Sequence, residues 1–201
     1  MSTHPHIDYY FSVISPWAYL GDARLQDLAK RASAQVTYHP LGSPDLFPAT
    51  GGLPLKDRAQ QRKDYRLVEL ARWSKHLGIA LNLQPQHFPT PEAAASKLIL
   101  AAQDAGQNVG PLLSGIFKAV WADELNVSDP DTLVMLADKS GLDGKALLEA
   151  SSAAHFDTAF TDTTQAAIKR GVFGYPTYVY NDELFWGQDR LSFLEDALNA
   201  R

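Results

Sequence analysis

The chain has no cysteine among its 201 residues. That excludes a disulfide framework, a thiolate zinc site, an iron–sulfur cluster and a catalytic thiol. Any sulfur chemistry must therefore use sulfur brought by a ligand. Positive charge is not in excess either: 18 Lys and Arg stand against 23 Asp and Glu, a net charge of −5. This argues against sequence-independent nucleic-acid binding, which needs a basic face, and more weakly against anionic membranes. No stretch approaches the ~18 apolar residues of a membrane span. The opening Met1-Ser2-Thr3-His4-Pro5 lacks a basic or apolar leader region, so a cytoplasmic protein is expected. There is no Walker motif, no G-x-G-x-x-G in strand context and no G-x-S-x-G. The six histidines (4, 6, 39, 76, 87 and 155) contain no i, i+4 pair, so no metal site is expected.

What is present reads as one globular domain, or one carrying a large insertion. Ile7 to Ile14 reads as a buried strand. Ser15-Pro16 then offers a helix cap and a first-turn proline, and the helix runs to about Ala32. A second strand, Val36 to Leu41, completes a βαβ unit, so the two strands should be parallel. Gly42 to Lys56, with three prolines and three glycines, reads as an irregular excursion.

About 100 helical residues follow. Asp57 to Leu77 reads as one long helix whose basic face holds Arg58, Arg62, Lys63, Arg66 and Arg72. Thr90-Pro91-Glu92 reads as a cap, a first-turn proline and a first-turn acid, opening a helix that ends at Gly106. Further helices are expected over Leu112–Trp121, from Asp129 to Gly141, over Lys145–Ala150 and over Phe156–Arg170. A strand at Thr177–Tyr180, a turn at Asn181-Asp182, a strand at Glu183–Trp186 and a helix from Arg190 close the chain. The order β-α-β, helical block, α-β-β-α is an α/β thioredoxin-like fold with a large all-helical insertion. Residues 1–42 and 155–201 form the first part and 43–154 the insertion.

In such a fold the reactive group sits where the first strand meets the first helix, because that helix terminus favours an anion. Here the position reads Ser15-Pro16-Trp17-Ala18. Ser15 is either only a cap or a hydroxyl that donates to a ligand thiolate. Tyr175-Pro176, just before a strand, is either an ordinary trans pair or a cis pair. The cis form would expose the Tyr175 backbone to an extended ligand. Trp186-Gly187-Gln188-Asp189-Arg190 lies at another strand–helix junction, where Asp189 either caps the helix or binds a ligand ammonium group. Trp17 and Trp186 flank the proposed site. Arg62 and Lys63 are either solvated or supply a cation beneath the excursion.

The run Tyr10-Phe11-Ser12-Val13-Ile14-Ser15-Pro16-Trp17-Ala18-Tyr19-Leu20-Gly21 resembles the start of 2-hydroxychromene-2-carboxylate isomerases and kappa-class glutathione transferases. Val172 to Thr177 and Phe185 to Leu191 resemble the same family, and Leu70-Ala71-Arg72-Trp73 and Val120-Trp121 fit it. The resemblance implies a DsbA-like fold, a homodimer, glutathione as cofactor and a small aromatic acid or other electrophile as substrate. It implies that Ser15 stabilises the glutathione thiolate and that Tyr175, beside Pro176, pairs with its cysteinyl part. Asp189, with Trp186, Gly187, Gln188 and Arg190, would hold the γ-glutamyl end. Phe88 falls where the isomerases place an aromatic substrate contact.

Two departures stand out. Phe47-Pro48 replaces a Phe-Lys pair, and Gly52 stands where many members have Asn. Arg62, with Lys63 adjacent, takes the place of a helix lysine. The implied chemistry is cis–trans isomerisation by reversible thiolate addition. The alternatives are a kappa-type transferase and a non-catalytic thiol- or peptide-binding domain.

Overall fold

The computed structural model describes residues 4–200. Met1–Thr3, part of the leader expectation, and Arg201 lie outside the described residues. The chain runs β1 (His6–Phe11), α1 (Pro16–Arg31), β2 (Gln35–Pro40), α2 (Ser43–Thr50), a 3-10 turn at Leu55–Asp57, and α3 (Gln60–Leu77). It continues α4 (Ala93–Asp104), α5 (Val109–Trp121), α6 (Pro130–Lys139), α7 (Gly144–Ser151) and α8 (Ala154–Lys169). It closes with β3 (Thr177–Tyr180), β4 (Glu183–Trp186), a 3-10 turn at Gln188–Arg190, and α9 (Leu191–Asn199).

The sheet order is β2-β1-β3-β4. β1 and β2 are parallel, with Tyr9 opposite Tyr38, as a crossover through α1 demands. β3 pairs antiparallel with β1, Tyr178 opposite Tyr9, and with β4. The β3–β4 turn takes positive φ at both Asn181 and Asp182 (49° and 62°), the twist-matched two-residue hairpin. This is the expected thioredoxin-like arrangement with its helical block between β2 and α8.

Strand periodicity sorts the core into two layers. Ile7, Tyr9, Phe11 and Tyr178 point into the large cluster with α1, α4 and α5. Tyr10 and Val179 point the other way, onto Leu46 of α2 and Ala167 of α8. Within the large cluster α1 carries a buried acid. Asp22 accepts from Ser114 of α5, with Gln26 Nε2 at 3.5 Å from its carboxylate. Burial pushes its carboxyl up to about 6.

Three expectations need correction. β1 ends at Phe11, not Ile14, because the chain turns there: Ser15 N–H donates to Ser12 C=O at 2.9 Å. The stretch read as irregular contains α2. Pro44 sits in its first turn, where a missing N–H is harmless, and Gly51 ends it at φ 77°. Thr90 does not cap α4: its hydroxyl donates to Asn126, and the residue preceding the helix is Glu92.

Candidate active site

α1 begins at a capped terminus. Ser15 Oγ accepts the Ala18 N–H at 3.2 Å, and no acid lies in the first turn. Ser15 is 1% exposed. Its oxygen is committed to the helix, but its O–H hydrogen meets no acceptor among the described residues. Both readings of Ser15 are therefore compatible: it caps, and it retains a donor.

Ser15 lines a cleft of about 780 Å³, within the range of small-molecule sites. Its other walls come from far along the chain. α2 and the loop after it give Phe47, Gly52, Leu53 and Leu55; α3 gives Arg62 and Arg66; Phe88, Tyr175 and Trp186 complete it, with Trp17 beside Ser15. The Tyr175–Pro176 bond is cis. Neither the Tyr175 N–H nor its C=O has a hydrogen-bond partner among the described residues. Tyr175 also stands 5.4 Å from the Phe47 ring, centroid to centroid. Its phenol is 2.8 Å from Ser43 Oγ, and burial pushes that phenol up to about 12.

The Gly52 departure has a steric reason. A Cβ there would lie 2.7 Å from Phe47 Cδ1, so the Phe47 ring fills the space an asparagine would need.

The cationic wall differs from expectation. Arg62 does line the cleft, from an exposed position. Lys63 does not: its ammonium donates to the Lys56 carbonyl at 2.7 Å and pins the preceding loop. Arg58 and Arg66, expected only as parts of a basic helix face, both line the cleft. Arg58 lies over Phe47 at 5.8 Å and donates to Leu53 C=O at 2.8 Å. Arg66 lies over Phe88 at 5.6 Å and over Trp121 at 5.9 Å. Among the described residues Arg66 has no carboxylate partner. Burial, with the like charge of Arg58 second, lowers its guanidinium to about 10. A guanidinium stacked on rings keeps its in-plane donors free, so this wall presents unmatched N–H groups to an anion.

The Trp186 junction is only partly in the cleft. Trp186 is half exposed and packs edge-on to Phe173, 4.7 Å between centroids. Gly187 takes φ 109°, and Asp189 Oδ1 lies 2.5 Å from where its Cβ would be. Gln188 is 2% exposed and bonded to Arg24 of α1, so its side chain is structural. Asp189 does not cap α9; it pairs with Arg190 at 2.7 Å, and neither lines the cleft. No group of three metal-ligating side chains occurs among the described residues. No helix there is long and apolar enough to cross a membrane.

A family profile described as a DSBA-like thioredoxin domain matches residues 6–199. The 2-hydroxychromene-2-carboxylate isomerase of Sphingobium xenophagum is 30% identical, over 96% of this chain and 97% of that protein. A solved 2-hydroxychromene-2-carboxylate isomerase structure superposes with a TM-score of 0.80 at 28% identity, covering 96% of this chain and 94% of the other. Human glutathione S-transferase kappa 1 is a more distant relative, 20% identical over 97% of this chain and 91% of that protein.

Proposed function

The chain belongs to the DSBA-like thioredoxin domain family, and on that premise we propose that it is a glutathione-dependent isomerase of an aromatic hydroxy or enone acid. The observation that carries the reading is Ser15: a buried hydroxyl with an uncommitted hydrogen, at a helix N-terminus without acids, facing a cleft. The residues present fit glutathione. The unpaired Tyr175 N–H and C=O suit its peptide backbone, and the acid-free terminus of α1 suits its thiolate. When bound, glutathione would supply a thiolate that adds reversibly to an unsaturated carbon, freeing rotation about that bond.

The chain's own residues do the rest. Ser15 donates to the sulfur and, with the helix terminus, favours the ionised form. Tyr175 orients the ligand in extended form. Phe47 and Phe88 flank a planar substrate, and Arg58, Arg62 and Arg66 hold its carboxylate. The relatives' name specifies a carboxylate substrate, which such a wall suits.

The test is steady-state turnover with glutathione and such an acid. Ser15→Ala should keep the fold, lose about 0.5–2 kcal/mol of helix capping, and cut turnover ~10²-fold. Turnover within about twofold of the unaltered protein would leave Ser15 only a cap. A catalytic amount of glutathione suffices for an isomerase, whereas stoichiometric consumption would mark a transferase. The homodimer that accompanies this reading is checked by sedimentation.

A further inference from the structure

One buried acid has no part in that chemistry. Glu92 precedes α4 and is 9% exposed. Its Oε2 accepts from Ser12 Oγ at 2.5 Å and from Ser43 Oγ at 3.1 Å. Its Oε1 accepts the Ser43 N–H at 2.7 Å. The Ser43 hydroxyl is also the one bridged to the Tyr175 phenol. A single carboxylate thus gathers the β1–α1 turn, the start of α2 and the Tyr175 loop. Each of these contributes residues to the cleft.

α2 needs such help. Gly42 gives it no side-chain cap, Pro48 withholds an N–H in its interior, and Leu46 is its one fully buried residue. The Ser43 N–H is among the four that a helix leaves unpaired at its start. Glu92, just ahead of α4, accepts it, whereas an Asp or Ser at the Gly42 position would reach only the second or third helical residue. The Ser12 turn has its own support, through Ser15 N–H to Ser12 C=O at 2.9 Å. The segment that depends on Glu92 is therefore α2, which carries Phe47.

We propose that Glu92 is a positioning residue: it caps α2 from outside and holds the Phe47 wall of the cleft against the turn that carries Ser15. The catalytic readout of this inference rests on the function proposed above; the exchange readout does not.

The experiment compares Glu92→Ala and Glu92→Gln. Alanine leaves the Ser43 N–H and two hydroxyls without their acceptor. Glutamine keeps an oxygen for the N–H, and its amide faces hydroxyls that can rotate to accept. In Glu92→Ala, amide exchange over residues 43–50 should rise about tenfold with other helices unchanged. The KM for the acid should rise about fivefold while glutathione affinity stays within about twofold. Glu92→Gln should stay near the unaltered protein in all three. Unchanged exchange at 43–50 in Glu92→Ala, or acceleration spread equally over all helices, overturns the inference. Should Glu92→Ala not fold, Glu92→Asp withdraws the carboxylate from the Ser43 N–H by one methylene. It should raise exchange over 44–50 about threefold, and no rise overturns the inference. Absence of any glutathione-dependent turnover in the unaltered protein would sink the proposed function, with the exchange result still deciding Glu92.

Discussion

Replacing Arg66 by leucine should stabilise the protein while weakening its hold on acids. The guanidinium is lowered from 12.5 to about 10, a difference worth at most about 3 kcal/mol at 1.36 kcal/mol per unit. Burial is the main cause and the charge of Arg58 the second. Stacking on Phe88 and Trp121 returns about 0.5–1 kcal/mol for each ring. The net gain of Arg66→Leu is therefore about 1–2 kcal/mol, or a Tm increase of roughly 2–8 °C for a chain of this size. The sign with pH follows directly. A cation whose folded pKa is depressed costs stability at every pH below about 10, so the gain should be flat from pH 6 to 9.

Binding should move the opposite way. A charge-assisted hydrogen bond contributes about 1.5–3 kcal/mol, so a planar hydroxyaryl carboxylate such as salicylate should bind roughly 10–100-fold more weakly. Its methyl ester should bind both proteins alike. Thermal unfolding and calorimetry measure both effects, and added salt should erode the difference between acid and ester. Lys75→Leu, in the exposed last turn of α3, is the control and should do neither. A lower Tm for Arg66→Leu, with acid and ester weakened equally, would make Arg66 a packing residue and refute the reasoning.

Asp22 supplies a pH test. Its folded carboxyl sits at about 6 against an ordinary 3.8, so the folded state binds its proton more tightly. Its contribution is full below about pH 4 and is lost as pH rises through about 6, some 3 kcal/mol in all. Asp22→Asn should therefore gain on the unaltered protein in urea midpoint between pH 4.5 and 8, and a constant offset would refute this. Gly52→Ala should turn the Phe47 ring, since the new Cβ would stand 2.7 Å from Phe47 Cδ1. Turnover kinetics should show kcat/KM for the acid falling about tenfold with glutathione affinity retained.

The local signals in the sequence reached the fold's frame well. Ser15-Pro16 marks the start of α1, Asp129-Pro130 that of α6, and Asn181-Asp182 the hairpin, because each is decided by a few neighbouring backbone groups. Thr90-Pro91-Glu92 shows the limit of such signals. It has the residue types of a helix start, yet the Thr90 hydroxyl goes to Asn126 and the Glu92 carboxylate to Ser12 and Ser43. Those partners are 36, 80 and 49 residues away, beyond any local pattern. α2 was hidden for the opposite reason: its prolines weigh against a helix unless their place in its turns is known.

Arg66 lies between these cases. Arg58, Arg62, Arg66 and Leu70 recur at four-residue spacing, which puts the three helical members on one stripe of α3. Leu70 is fully buried, so a stripe that ends on it must turn toward the protein rather than the solvent. Lys63 is one position off that stripe and reaches the Lys56 carbonyl instead. The register of the arginines with the apolar residue below them, more than their number, was the signal that separated a cleft wall from a solvated face.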